Sequence, residues 1–287
     1  MLIRPMTTED VPTAEAISAD AFHALDLSRR RPADPEPQRR APANAAGWIA
    51  RTEKFVATDP GGCWVAEDDD GVLGFATSLR REDVWCLATF AVRPGHQGGG
   101  IGSRLLAAAT AYGVGCERGM LAASDDPRAT RSYHRAGFRL HPQLTLTGTV
   151  DRSALPAVTG LRDGVPDDLG WMDDLDRSLR GGPHGPDHEP LMGISRLVVA
   201  ADRSGYAYTN TGGPGLIAAR DEATARTLLW ECLAGTEGRA EVAHVTVAND
   251  WAVDVGIAAR LDLATRGYLG LRGMAPPAPY VHHGAVL

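Results

Sequence analysis

An α+β chain made of two copies of one unit is the fold class this sequence predicts, and three observations predict it. Short apolar stretches of strand length alternate with helix-length stretches through the first half. The stretch Val84–Val92 (VWCLATFAV) is continuously apolar, as expected of a strand at the centre of a sheet. Beyond a polar, Pro- and Gly-containing break at 149–160, the same order of elements recurs.

The elements follow in order from their signals. Leu2–Pro5 reads as a strand, and Thr7 with Asp10 three residues on reads as a capping-box start for a helix to about Phe22. The stretch Ser28–Ala46 is rich in Pro and Arg and reads as a loop. Its charge is either simply solvated or steers an anionic ligand. A helix over about Gly47–Ala57 leads to strands at Cys63–Glu67 and Val72–Leu79, joined by a hairpin ending in Asp70-Gly71. After the central strand come a helix from Ile101 to about Cys116, a strand at Met120–Ala123, a helix over Pro127–Ala136 and a strand from Phe138. The second half repeats this with strands at Gly160–Arg162, Leu197–Ala201, Tyr206–Thr209, Leu216–Ala219 and Val242–Val247. Its helices start at Asp167, run over Glu222–Ala234, and run over Trp251–Arg260.

Composition narrows the function. The 287 residues carry 29 Lys and Arg against 36 Asp and Glu, a net charge of −7. That balance argues against nucleic acid or an anionic membrane as the main partner. With no run of 18 apolar residues, and an N-terminal MLIRPMTTEDVP that lacks a secretory core, the expected location is the cytoplasm. The four cysteines, Cys63, Cys86, Cys116 and Cys232, form no CxxC pair, so no zinc or disulfide framework is signalled and buried thiols are expected.

The strongest local signal is Val92–Leu106, VRPGHQGGGIGSRLL, set between the apolar strand and a helix start. Glycines 98, 99, 100 and 102 let backbone approach a ligand, and a helix N-terminus contributes about half a positive charge. Together they make a seat for a pyrophosphate. A dinucleotide fingerprint would require a further glycine at Ser103 or Leu105, and a P-loop would require a Gly-Lys-Ser/Thr run, whereas the only lysine is Lys54. Neither reading fits.

The run VxPxxQxxGIG, filled by Val92, Pro94, Gln97, Gly100, Ile101 and Gly102, resembles the acyl-CoA-binding motif of the GNAT superfamily of N-acyltransferases. Downstream, Ala129, Tyr133, Gly137 and Phe138 resemble that family's NxxAxxxYxxxGF pattern. The resemblance covers about residues 1–150. It implies two tandem GNAT-like domains, each a mixed, mostly antiparallel sheet flanked by helices. It also implies an acetyl-CoA donor whose pantetheine arm pairs with the backbone of Phe90, Ala91 and Val92. Gln97, Gly98, Gly99, Gly100, Ile101, Gly102 and Ser103 would then surround the pyrophosphate. Asp126 takes a position where the family often has asparagine. Tyr133 matches the tyrosine that protonates the departing thiolate. The family's usual glutamate base falls at Leu121, which leaves Glu82, Asp83 and Asp125 as the nearest acids, or water as the route for the amine proton. The acceptor implied is a small-molecule or peptide amine. The rival is an acyl-CoA-binding sensor without turnover.

The second half keeps the pattern in worn form. Asn249, Ala252, Gly256, Arg260 and Leu261 fall at the spacing of the second motif, with Gly256 in place of tyrosine and Arg260 in place of glycine. The strand before its helix passes through ARDEAT, whose Asp221 and Glu222 repel a pyrophosphate. The expected organisation is a catalytic domain at 1–150 and a non-catalytic GNAT-like domain at 157–287. HGPDHE at 184–189 reads as a solvent loop rather than a metal site, because Gly185 and Pro186 interrupt a helix; no metal is expected. The segment APPAPYVHHGAVL is either disordered or packed back, and if packed back it places Tyr280, His282 and His283 along a pocket.

Overall fold

The computed structural model describes residues 1–30 and 36–287. The chain folds as two compact units, residues 1–80 with 85–115, and residues 81–84 with 116–287.

In the first unit, strands β1 (Leu2–Pro5), β2 (Cys63–Asp68), β3 (Gly71–Arg81) and β4 (Val84–Val92) lie side by side in chain order. Gly71, at φ +109°, closes the β2–β3 hairpin in the left-handed conformation that the Asp-Gly signal calls for. Helix α3 (Ile101–Ala111) covers one face, where Ser78 Oγ and Trp85 Nε1 both donate to the Ala109 carbonyl, at 3.3 and 3.0 Å. Helices α1 (Val11–Arg29) and α2 (Pro42–Thr58) belong to the same unit, and α2 sets Trp48 edge-on to Phe75 of β3 at 5.7 Å. Phe75 and Ser78 alternate to opposite faces of the sheet.

These bounds correct the loop expected over Ser28–Ala46. Helix α1 continues to Arg29, and α2 begins at Pro42, where a proline at the first helical turn loses no hydrogen bond. Between them Arg40 donates to Glu15 Oε1 at 2.6 Å and Ser18 Oγ at 3.0 Å, and its guanidinium lies 5.5 Å over the Trp48 ring. Residues 31–35 lie outside the described residues.

The second unit holds β5 (Arg118–Ala123), β6 (Arg139–Thr149), β7 (Leu161–Asp163), β8 (Arg196–Ala200), β9 (Gly205–Asn210), β10 (Gly213–Ala219), β11 (Arg239–Thr246), β12 (Asp262–Arg272) and β13 (Tyr280–Val281). Its helices are α4 (Pro127–Arg135), α5 (Leu169–Arg180), α6 (His188–Ile194), α7 (Glu222–Ala234) and α8 (Asp250–Ala258). The strands form two runs, β5-β12-β6-β11 and β13-β10-β9-β8-β7.

The first run carries a strand exchange. Strand β12, from the second half of the sequence, lies between β5 and β6 and pairs antiparallel with both, while β6 pairs on its other side with β11. Each half therefore lends its last long strand to the other. The second compact unit consequently takes in β5 and β6, whose partners come from the second half of the sequence.

The duplication is visible in the bonds. Around α4, Phe138 N donates to Tyr133 O and Gly137 N to His134 O; around α8, Leu261 N donates to Gly256 O and Arg260 N to Ile257 O. Gly137 and Arg260 share the left-handed cap, at φ +88° and +65°. A latch is also repeated. Arg4 grips Asp10 at 2.7 and 2.8 Å, and Arg162 grips Asp168 at 2.7 and 2.6 Å, while each carboxylate also accepts the amide of the residue three before it. Thr7 supplies that amide in the first copy, in keeping with the capping-box start.

Candidate active site

The glycine loop is built by the strand before it and the helix after it. Arg93 N donates to Leu73 O at 2.8 Å, so the chain leaves the sheet only after Val92. Gln97 Nε2 reaches back to the Val92 carbonyl at 3.3 Å. Gly98 and Gly100 adopt φ of +91° and +83°, open to glycine at no cost, and a Cβ at 98, 99 or 100 would meet nothing within 4 Å. At Gly102 the constraint is space: a Cβ would stand 3.1 Å from the Phe90 ring and 3.7 Å from Val92 Cγ2. Phe90, Val92 and Gly102 are thus brought together, with Ala91 buried between the first two.

The first helical bond across this terminus runs from Arg104 N to Gly100 O at 3.2 Å, so the amides of Ile101, Gly102 and Ser103 have no partner within the helix. No acidic residue stands in the first turn of α3. Exposed glycines 98–100 and exposed Ser103 therefore surround a set of N–H groups at the positive end of a helix dipole, a geometry suited to a dianionic ligand.

On the second unit, Asp126 caps α4 by accepting Arg128 N at 2.8 Å and pairs with Arg128 Nη2 at 2.8 Å. Tyr133, two turns on, is the buried residue of a helix whose other residues are exposed or half-buried. Burial first, and the Asp126 charge second, push its phenol well above the ordinary tyrosine range, so the hydroxyl keeps its proton at neutral pH.

The acids near the central strand have other duties. Glu82 pairs with Arg177 at 2.9 Å, and Asp83 accepts Glu117 N at 2.7 Å and Arg118 Nη1 at 2.6 Å. Leu121, at the position of the family's usual glutamate, is buried and packed so closely on β12 that a Cβ at Gly270 would lie 2.6 Å from its Cδ1.

Residues 59–140 match the profile of the acetyltransferase (GNAT) domain. Among curated proteins no sequence matches. Solved structures do: a candidate acetyltransferase from Pyrococcus horikoshii has 17% identity and a TM-score of 0.76, over 99% of this chain and 94% of that one. A tandem GNAT protein from the clavulanic acid biosynthesis pathway has 14% identity and a TM-score of 0.58, over 96% of this chain and 99% of that one. A GCN5-related N-acetyltransferase from Sphaerobacter thermophilus, at 16% identity and a TM-score of 0.58, covers 96% of each chain. This chain has the tandem GNAT fold.

The second GNAT copy differs where the ligand seat would be. Eight residues, 93–100, separate β4 from α3, but only Arg220 and Asp221 separate β10 from α7. The α7 terminus is already capped, since Asp221 Oδ1 accepts Thr224 N at 2.9 Å, and Glu222 adds an acid to its first turn. Where Tyr133 stands in the first copy, Gly256 leaves room for Leu146 of β6, whose Cδ2 would lie 2.5 Å from a Cβ there. The exchanged strand fills the place of the tyrosine.

One expectation for this half is corrected. HGPDHE is not a solvent loop: His184 and His188 are fully buried, and α6 begins at His188. Asp176, His184 and His188 bring one ligand atom each within 4.8 Å of one another. Hydrogen bonding accounts for this cluster. Arg180 Nη1, always a donor, faces His184 Nε2 at 3.1 Å, which fixes the ring proton on Nδ1, donated to Asp176 Oδ2 at 2.7 Å. Asp176 also accepts from Tyr206 at 2.6 Å, leaving His184 no lone pair for a cation. Among the cysteines, Cys116 is only partly buried, whereas the other three are buried as expected.

Sequence reasoning missed the Arg–Asp latches and the exchanged strand β12. The latch was legible as Arg4/Asp10 and Arg162/Asp168 at equal spacing. The alternation in DLATRGYLGLR was legible as a strand, although its partner was not.

Proposed function

We propose that this chain is an acyl-CoA-dependent N-acyltransferase, with acetyl-CoA as the simplest donor and a primary amine of a small molecule or peptide as acceptor. The observation that carries the reading is the glycine loop opening α3, with free-facing amides and no acid in the first helical turn, inside the stretch that matches the GNAT domain. In this reading Gln97–Ser103 hold the pyrophosphate, and the backbone of Phe90–Val92 pairs with the pantetheine arm. The division of labour is a catalytic first copy, residues 1–150, and a non-catalytic second copy, residues 157–287.

The acceptor nitrogen attacks the thioester carbonyl carbon and a C–N bond forms. Collapse of the tetrahedral intermediate breaks the C–S bond, and the departing sulfur takes the Tyr133 hydroxyl proton. The ammonium proton passes to water, and water returns a proton to the Tyr133 phenolate to restore the donor, a route supported by Leu121 in place of a carboxylate and by the commitments of Glu82 and Asp83 to arginines. A positioned donor of this kind contributes about 10²–10⁴-fold. Leu121 also favours a second reading, an acyl-CoA sensor that does not turn over.

Thiol release from acetyl-CoA, measured with a mixed panel of amines, separates the two. Amine-dependent turnover that drops by about 10²-fold or more in Tyr133→Phe supports the transferase. Tight acetyl-CoA binding with no thiol release by either protein supports the sensor. Absence of acetyl-CoA binding overturns both.

A further inference from the structure

In the second GNAT copy, β10 occupies the place that β4 holds in the first, the strand leading into the helix with the altered ligand seat. Its far edge is not open. Strand β13 pairs antiparallel with it, Tyr280 opposite Ala218 and Val281 opposite Ile217, and Ala219 N donates to Pro279 O at 3.2 Å. Strands β10 and β11 approach at one end, where Glu241 N donates to Gly212 O at 2.8 Å, but belong to different strand runs. Segment 276–287 fills the wedge between them.

The segment is fixed along its length. At its start, Asn249 accepts Tyr280 N at 2.7 Å and donates to Pro277 O at 3.0 Å. Asn249 is one of the residues that the worn second motif keeps, with Ala252, and both ends of its amide reach the backbone of this segment. In the middle, the His282 ring lies 4.4 Å from that of His244 and meets Gln143 Nε2 at 2.5 Å. At the far end, Arg180 Nη1 donates to Val286 O at 2.9 Å, and Tyr280 Oη donates to Leu287 O at 2.9 Å. Tyr280, Val281, His282, Val286 and Leu287 are each 2% exposed or less.

We propose that segment 276–287 is a built-in strand that permanently occupies the donor slot of the second copy and closes that copy to acyl-CoA. The inference rests on the reading above only in taking the strand before the loop as the donor-binding strand. An extended ligand laid along β10 needs the same strand edge that 279–281 already covers, where Ala219 N is bonded to Pro279 O and Val281 stands opposite Ile217. The capped, acidic start of α7 removes the pyrophosphate site next to it. The uptake expected of the folded chain is therefore one acyl-CoA.

Hydrogen exchange across 276–287 of the full chain, with and without saturating acetyl-CoA, tests this together with calorimetric stoichiometry. The expected result is exchange of the Tyr280 and Val281 amides at least ~10²-fold slower than in an unstructured peptide, unchanged by acetyl-CoA, with one site per chain. Fast exchange in the free protein overturns the proposal. So does binding at two sites, or acetyl-CoA-induced exposure of these amides, either of which makes the segment a displaceable gate. Protected amides with no acetyl-CoA binding would uphold the occupied slot while overturning the transferase reading. In Asn249→Ala the segment is expected to exchange ~10-fold faster or more, with β8 and β9 amides unchanged as the check that the sheet is intact. Unchanged exchange in that variant removes Asn249 as the latch.

Discussion

Tyr133 is the residue on which the chemical reading turns. Its burial beside Asp126 holds the phenol protonated well past neutrality, which suits a donor and not a base. Tyr133→Phe is expected to lower kcat by about 10²-fold or more while leaving the acetyl-CoA Kd unchanged, in steady-state kinetics and calorimetry. The pH–rate profile of the wild type should show no loss attributable to tyrosine ionisation below about pH 10. A basic limb at lower pH that vanishes in the Phe variant would show that the phenol is not held as the structure indicates. Tyr133 and the glycines were legible in the sequence because motif spacing fixes their helix or loop position. The reason Leu121 replaces a carboxylate was not: Gly270 across the strand pair leaves room for that side chain, and the pairing joins distant parts of the chain.

At the scale of an element, α3 and α7 are a natural comparison. One opens with glycines and bare amides; the other opens with Asp221 and Glu222 and is capped by its own carboxylate. Ser103→Asp would give α3 the charge that α7 has. A carboxylate there favours the helix dipole by ~0.3–1 kcal/mol, so Tm should hold or rise slightly, but it repels a pyrophosphate. The acetyl-CoA Kd is expected to weaken by roughly tenfold or more, since each ~1.4 kcal/mol is tenfold. Unweakened binding would displace the pyrophosphate from the α3 terminus. The helix bounds of α7, Glu222–Ala234, follow directly from local signals. Those of α2 did not, because Pro42 opens the helix instead of ending the loop.

At the scale of the molecule, the strand exchange decides what can be removed. Truncation after about residue 155, the obvious test of a two-domain sequence, deletes β12 and β11 and leaves β5 and β6 with bare edges. The fragment is expected to aggregate or to lack a cooperative unfolding transition by circular dichroism; a soluble fragment with native-like melting would show that the exchange is dispensable. Buried histidines set the acid response. Burial pushes His244 down to about 4, and burial together with His244 pushes His282 well below its ordinary value. The unfolded chain takes up protons near pH 6.5 while the folded one does not, so stability falls as pH drops from about 6.5 toward 4. Asp10 and Asp168 act in a lower window. Their arginine partners depress them, so their contribution is present above about pH 3.9 and is lost as pH falls through their folded values. Thermal melts across this range should show the first fall made shallower in His244→Gln and the second retained.

The sequence by itself determined the two-copy α+β plan, the glycine loop, the place of Tyr133 on its helix, and the acidic helix start at ARDEAT. All of these are written in spacings of a few residues, where helix and strand periods and the φ freedom of glycine act locally. Only the tertiary structure decided that β12 and β6 trade places, that His184 of HGPDHE is buried among Asp176, Tyr206 and Arg180, and that segment 276–287 seats against β10. Each of those depends on backbone and side-chain groups far apart in the chain satisfying one another's hydrogen bonds inside a packed interior, and local periodicity carries no record of the partner.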